Sequence, residues 1–279
     1  MNTSEECIQR FKDDYCFRLT PESIDFYEIS LRQLLMYSGK PLLDITKQDI
    51  QNWVIYLDEI GNKPATAKTK IAGLKRFYKY LLEEGVISYN PMEKIPFPQV
   101  EDKLPCYLRN DQLSQLREVA DGEMRERAII ELLYSAGIRL KELAAMKKED
   151  INWTERIIHI PRGKRKKARI VLFTRTCAEY LKSYLEERKD DLPFVFVNRY
   201  GTRPICTRTI QINFKKYKTR LGFHLTPHTL RHTFAAHLAI KGMPLEGIQD
   251  LLGHDGPQQA QLYARLYSHA RKSMYDEWM

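Results

Sequence analysis

The sequence predicts two mainly α-helical domains, the second carrying a small antiparallel sheet. Three observations lead there. Apolar residues recur at helical period along most of the 279 residues, which marks amphipathic helices. That period stops in the segment from Ile95 to Pro105, which holds three prolines in eleven residues and reads as a semi-extended linker. Beyond it, two short runs rich in β-branched residues flank a basic turn, the pattern of a hairpin or meander.

In the first domain, Ile24, Tyr27, Leu31, Leu34 and Leu35 share a helical face that begins at Pro21 and ends near Ser38-Gly39. Thr46 is placed to cap a second helix with Ile50, Trp53, Val54, Leu57 and Ile60, stopped by Gly61-Asn62. A third starts around Pro64 and buries Ile71, Leu74, Phe77, Tyr78, Leu81 and Leu82. Its other positions hold Lys68, Lys70, Lys75, Arg76 and Lys79, with no compensating acid until Glu83. A solvated helix surface is the commoner source of such a face, but the missing acids favour phosphate contact here. Asn90-Pro91 ends the unit. The expected division is a domain over 1–96, a linker over 97–105 and a second domain over 106–279.

Composition narrows the class. There are 45 basic against 36 acidic side chains, a net charge of +9, which argues for an anionic partner where it clusters. The five cysteines lie far apart and form no CxxC, so no disulfide framework or zinc ribbon is implied and a reducing cytoplasm fits. The polar N-terminus is unlike a signal peptide. No segment approaches the roughly eighteen apolar residues of a membrane span. A soluble cytoplasmic protein is expected.

In the second domain, Asp111 opens a helix. An apolar helix from Arg125 to Tyr134 ends at Ser135-Ala-Gly137, and another runs from Leu140 to Met146. Arg139 stands at the break between them with Glu142 one turn on; the pair could orient a guanidinium, or be an ordinary surface i,i+3 ion pair. Ile157–Ile160 and Ala168–Phe173 read as strands. The turn between them holds Arg162, Lys164, Arg165, Lys166 and Lys167, with Arg169 following. Such a turn binds phosphate, and a lysine crowded by other cations is suited to donate a proton. From Thr176 onward the chain is again mainly helical. Thr226-Pro227 reads as an N-cap with proline at the first helical position, which puts His228, Arg231 and His232 on one face of the first turn. Zinc competes for His228 and His232, with His224 or His237 as third ligand, but the Glu of HExxH is missing. Leu251-Leu-Gly-His254 ends a helix, and Tyr263 follows nine residues later. Two imidazoles, a guanidinium and a phenol can neutralise and attack a phosphate without a metal.

Together these boxes resemble the tyrosine recombinase (phage integrase) family, in its compact Xer-like form, over essentially the whole chain. Ser135-Ala-Gly-Ile-Arg139-Leu-Lys-Glu142 is similar to the first arginine box, Gly163-Lys164 to the hairpin lysine, His228-Thr-Leu-Arg231-His232 to the second box, and Leu-Leu-Gly-His254 with Tyr263 to the third. The resemblance implies the tyrosine recombinase fold, with a core-binding domain that clamps DNA and a catalytic domain whose tail, 264–279, docks on a neighbouring protomer through Leu266, Met274 and Trp278. It implies that Tyr263 attacks a DNA phosphodiester and that Arg139, Arg231 and His254 stabilise the developing charge. His228 would accept or relay the phenol proton, Lys164 would protonate the leaving oxygen, and Glu142 and His232 would orient the others. It implies no metal or other cofactor, duplex DNA as partner, and a homotetramer on paired sites. Whether a partner recombinase or accessory protein takes part stays open, as does the outcome: integration, excision or resolution, for a mobile element, a plasmid or a chromosome dimer.

Some residues depart from the family pattern. The hairpin reads Gly-Lys-Arg-Lys-Lys where relatives often have Gly-Lys-Gly-x-Lys, which keeps Lys166 and Lys167 as rivals to Lys164. Tyr267-Ser-His269 is similar to the family's ending and makes Tyr267 a rival nucleophile; the nine-residue step selects Tyr263. Rival activities are a type IB topoisomerase, a non-catalytic DNA-binding accessory protein and a zinc-dependent hydrolase.

Overall fold

The computed structural model describes residues 3–100, 105–161, 168–253 and 263–278. The chain divides into two compact units, Met1–Glu101 and Asp102–Met279. Both are mainly helical, and the second holds a three-stranded antiparallel sheet. No helix among the described residues is long and apolar enough to cross a membrane.

The first unit comprises α1 (Ser4–Tyr15), α2 (Pro21–Ser38), α3 (Lys47–Glu59) and α4 (Pro64–Glu83). Thr20 and Thr46 cap α2 and α3 through their side chains, and Pro21 and Pro64 occupy the first turns of α2 and α4. Phe11, Leu31, Leu34, Trp53, Ile71 and Phe77 meet in the core. The sequence reading names no helix before Pro21, and the structure has one. In α1 the Thr3 hydroxyl accepts from the Glu6 N–H while Glu6 accepts from the Thr3 N–H, a capping box. Its apolar residues Cys7, Ile8, Phe11 and Tyr15 are buried, at a helical spacing that the polar residues between them obscure.

One expectation for α4 is corrected. Lys68, Arg76 and Lys79 are exposed, but Lys70 is only 6% exposed and donates to Asn62 Oδ1 at 3.0 Å. It sits one residue before Ile71, at the edge of the buried stripe, and burial lowers its pKa. Lys70 is a core-edge residue whose ammonium is turned to Asn62 rather than outward.

The second unit continues with α5 (Asn110–Val119), α6 (Met124–Ala136), α7 (Leu140–Ala145), β1 (Ile151–Asn152), β2 (Ile157–Ile160), β3 (Arg169–Leu172), α8 (Arg175–Glu187), α9 (Thr207–Leu221), α10 (Pro227–Ile240), α11 (Leu245–Leu252) and α12 (Ala264–Trp278). The strands run in the order β1-β2-β3, with Ile158 opposite Val171 and Ile160 opposite Arg169. Ile158, Ile160 and Val171 turn into a core shared with α6 and α8. At two residues, β1 is too short to show a sequence period.

Two helices, α6 and α10, hold the elements that carry the candidate site residues. α6 packs against α8 and α10, and α10 also packs against α11 and α12. Thr226 caps α10 by accepting from the Thr229 N–H at 3.1 Å, with Pro227 next. α6 ends at Gly137, which has φ +58°, the left-handed conformation that lets a helix stop abruptly. A Cβ there would lie 2.4 Å from the Phe234 ring, so the residue is also the contact point between α6 and α10. Gly137→Ala is expected to destabilise the fold by about 1–3 kcal/mol, through backbone strain and overpacking together. Urea unfolding measures this, and a midpoint equal to that of the wild type would remove the close-approach argument.

Candidate active site

The left-handed turn at Gly137 places Arg139 at the N-cap of α7. Its backbone N–H donates to Glu142 Oε2 at 2.8 Å and its Nη1 to Glu142 Oε1 at 2.9 Å. The carboxylate is thus a cap and an ion-pair partner at once. Arg169, the first residue of β3, binds the same carboxylate bidentately at 3.0 and 2.7 Å. Burial alone would raise the Glu142 pKa. The Arg169 hydrogen bonds and the Arg139 N–H prevail and hold it at about 2, so Glu142 is ionised at neutral pH.

The arginines meet again at the end of α11. Arg169 Nε donates to the Leu251 carbonyl at 3.3 Å, Arg231 Nη2 to Leu252 at 2.7 Å, and Arg139 Nη2 to Gly253 at 2.6 Å. The last carbonyls of a helix have no partner within it and carry the negative end of its dipole. Three consecutive carbonyls therefore take one guanidinium each. Gly253, at φ +60°, must lack a side chain, since a Cβ would lie 2.6 Å from Arg169 Cδ. Arg231 also donates to the Gly137 carbonyl. It is 7% exposed, and its burial, followed by the charge of Arg139, lowers its pKa.

Tyr263 stands just before α12 and is 2% exposed, with its hydroxyl 2.6 Å from His232 Nδ1. Burial pushes the phenol up to about 12. Burial first, then His228 and Arg231, push His232 down to about 4. At neutral pH the phenol therefore keeps its proton and the imidazole is neutral, and the two share a hydrogen bond whose direction follows the tautomer of the ring. His228 stands at the outer side of the same turn. Loss of water, then the charges of Arg231 and Arg139, lower its pKa as well. Tyr267 lies one turn into α12, with the Arg271 guanidinium 5.7 Å from its ring centre.

The structure thus brings together Arg139, Glu142, His228, Arg231, His232 and Tyr263. Two expectations change. It is His232, and not His228, that touches the phenol. Arg169 is turned inward, its side chain 10% exposed, so it offers no surface to DNA; it shares the buried face of β3 with Val171, as alternate residues of a strand do. The tail helix α12 packs on the chain's own α10, with Leu266 and Tyr267 against the cluster around Phe234 and Leu252. Arg162, Lys164, Arg165, Lys166, Lys167 and His254 lie outside the described residues, as do the side chains of Met274 and Trp278. Among the described residues no group of three or more His, Cys, Asp and Glu side chains is arranged to hold a metal ion.

Residues 106–269 match the phage integrase family, and residues 8–85 match the N-terminal SAM-like domain of phage integrases. The chain belongs to the phage integrase family. This tyrosine recombinase is 34% identical over 251 residues to tyrosine recombinase XerC of Chlamydia pneumoniae, covering 86% of this chain and 80% of that protein. It is 32% identical over 232 residues to tyrosine recombinase XerA of Pyrococcus horikoshii, covering 82% and 79%. A crystal structure of a lambda integrase dimer bound to a COC′ core site shares the fold, with a TM-score of 0.78 at 20% identity over 94% of this chain and 95% of that one. The recombinase is an enzyme that breaks and rejoins DNA.

The histidines set a pH dependence. With the folded pKa of His232 near 4 against an ordinary 6.5, the unfolded chain binds the proton first as pH falls. The stability His232 contributes is full above pH 6.5 and is lost as pH falls towards 4. His228 and His237, also lowered, act in the same direction. Glu142 begins to matter only below its ordinary 4.5. Urea midpoints should fall from pH 6.5 to 4.5, and His232→Gln should flatten that slope; a slope unchanged in the variant would take His232 out of the account.

Proposed function

We propose that the chain is a site-specific recombinase that cuts and rejoins duplex DNA through a 3′-phosphotyrosyl intermediate on Tyr263. One observation carries this reading. Three guanidiniums converge on the end of α11, two of them sharing the Glu142 carboxylate, beside a phenol already bonded to a neutral imidazole. The excess positive charge suits a phosphodiester, and the phenol–imidazole pair suits an attack on it.

In the proposed reaction Tyr263 Oη forms a bond to the scissile phosphorus and the bond from phosphorus to the 5′-oxygen breaks. The phenol proton passes to His232, and His228, its neighbour on the outer side of the turn, relays it onward. Arg139 and Arg231 each carry five N–H donors, and the bonds described use two of them; further donors address the non-bridging oxygens. His254 adds a donor, and Lys164 gives the leaving 5′-oxygen its proton. The reverse reaction with a 5′-hydroxyl from another strand completes the exchange. The bond energy is kept in the phosphotyrosyl link, so the scheme routes no step through a cofactor.

Lys68, Lys75, Arg76 and Lys79 on α4 and the basic segment Arg162–Lys167 would contact phosphates. A lambda integrase tetramer has been seen bound to a Holliday junction, and a homotetramer on paired sites is proposed here by likeness. Integration, excision and resolution differ in how the two sites are arranged rather than in the chemistry, so all remain products of one centre. The likeness to XerC and XerA favours strand exchange over plain relaxation of supercoils.

Tyr263→Phe should bind a nicked duplex as the wild type does and form no covalent protein–DNA adduct, while Tyr267→Phe keeps the adduct. An adduct formed by Tyr263→Phe on denaturing gels would sink the assignment. Lys164→Ala should slow cleavage by about 100-fold or more and recover when a 5′-bridging sulfur replaces the leaving oxygen. Equal impairment on both substrates would count against its role as the acid.

A further inference from the structure

The Arg139–Glu142 pair contains a conflict. Glu142 orients Arg139 through both the backbone N–H and Nη1. A carboxylate that close also cancels the charge that Arg139 needs for a phosphate. Arg169 lies on the far side of the same carboxylate, bidentate to both oxygens, and is itself almost fully enclosed.

We propose that Arg169 is a positioning residue that neutralises Glu142 and fixes it in place, so that Arg139 is oriented by the carboxylate yet keeps its own charge for the scissile phosphate. The inference rests on the reading of Arg139 and Tyr263 as parts of the reacting centre. Three geometric facts support it. Both oxygens of Glu142 are shared between Arg139 and Arg169, one bond from each on each oxygen. Arg169 and Arg139 bind the Leu251 and Gly253 carbonyls of one helix end, so their separation is set by a rigid element. Gly253 provides the space for this, since any side chain there would collide with Arg169. A bidentate guanidinium matches a carboxylate in shape, and a lysine cannot reproduce that match. The low Glu142 pKa agrees with the arrangement.

The test uses the full chain and a nicked duplex selected from a random-sequence pool by covalent capture with the wild type. DNA affinity and the rate of adduct formation at saturating DNA are read separately. Arg169→Ala should bind within about threefold of wild type and react about 100-fold more slowly, the usual scale for a displaced catalytic group. Arg169→Lys should lose less, because charge returns without the bidentate geometry. The decisive variant is Glu142→Gln combined with Arg169→Ala. Removing the uncompensated carboxylate should make the double variant faster than Arg169→Ala alone. A merely structural role for Arg169 gives a double variant as slow or slower, and that result overturns the proposal. So does weakened affinity with an unchanged rate, together with a salt dependence reduced by about one ion, which marks an ordinary phosphate contact. Should Arg169→Ala fail to fold, Arg169→Lys and its combination with Glu142→Gln carry the same comparison. If the wild type captures no duplex at all, the functional reading fails and this inference with it; if it captures one and Arg169→Ala reacts as fast, only this inference fails.

Discussion

The carboxyl end of α11 is where the second unit is held to its chemistry. Its last carbonyls, on Leu251, Leu252 and Gly253, each accept from a different arginine, and those arginines come from β3, α10 and the start of α7. A helix end left alone would have to find water or caps for those carbonyls. Here three distant elements supply the donors. The helix end is thereby satisfied, and the three cations are placed with respect to one another by a fixed backbone. Carbonyl dipoles have a property that carboxylates lack: they hold a guanidinium without cancelling its charge. The bonds from Arg231 to Gly137 and Leu252 are both of this kind.

Such a centre opposes the rest of the fold. A guanidinium 7% exposed, beside two others and one shared carboxylate, is unfavourable for the folded chain until an anion arrives. The scaffold bears this cost through packing elsewhere. α6 is buried on nearly all sides by α8, α10 and the sheet, and Gly137 brings α6 and α10 together just where the first arginine leaves the helix. Local strain and unbalanced charge at a functional site, carried by a well-packed scaffold, is the expected division of roles.

How far the sequence alone could reach depends on what kind of signal each feature leaves. Caps and periods leave local signals: Thr46, Pro21, Pro64 and Thr226-Pro227 mark helix starts within a few residues of where the structure has them. Lys70 and Arg169 carry charges whose direction is set by periodicity: the first flanks a buried stripe and the second lies on the inward face of a strand. Which histidine meets Tyr263 leaves no local trace at all. His228 and His232 lie one turn apart on one helix, and only the packing of Tyr263 against α10 decides that the phenol meets the second. The acceptors on α11 are similarly silent in sequence, beyond the glycine that ends the helix.

The state of the proposed nucleophile follows from the same packing. Tyr263 is enclosed by α10, α11 and the start of α12, and its proton is retained because the environment that buries the phenol also keeps His232 neutral. In the proposed reaction the phenol has a proton to lose and the imidazole is able to take one, and the side chain is 2% exposed. Packing rather than titration therefore sets what the phenol can reach, while α10 and α11 fix the arginines beside it.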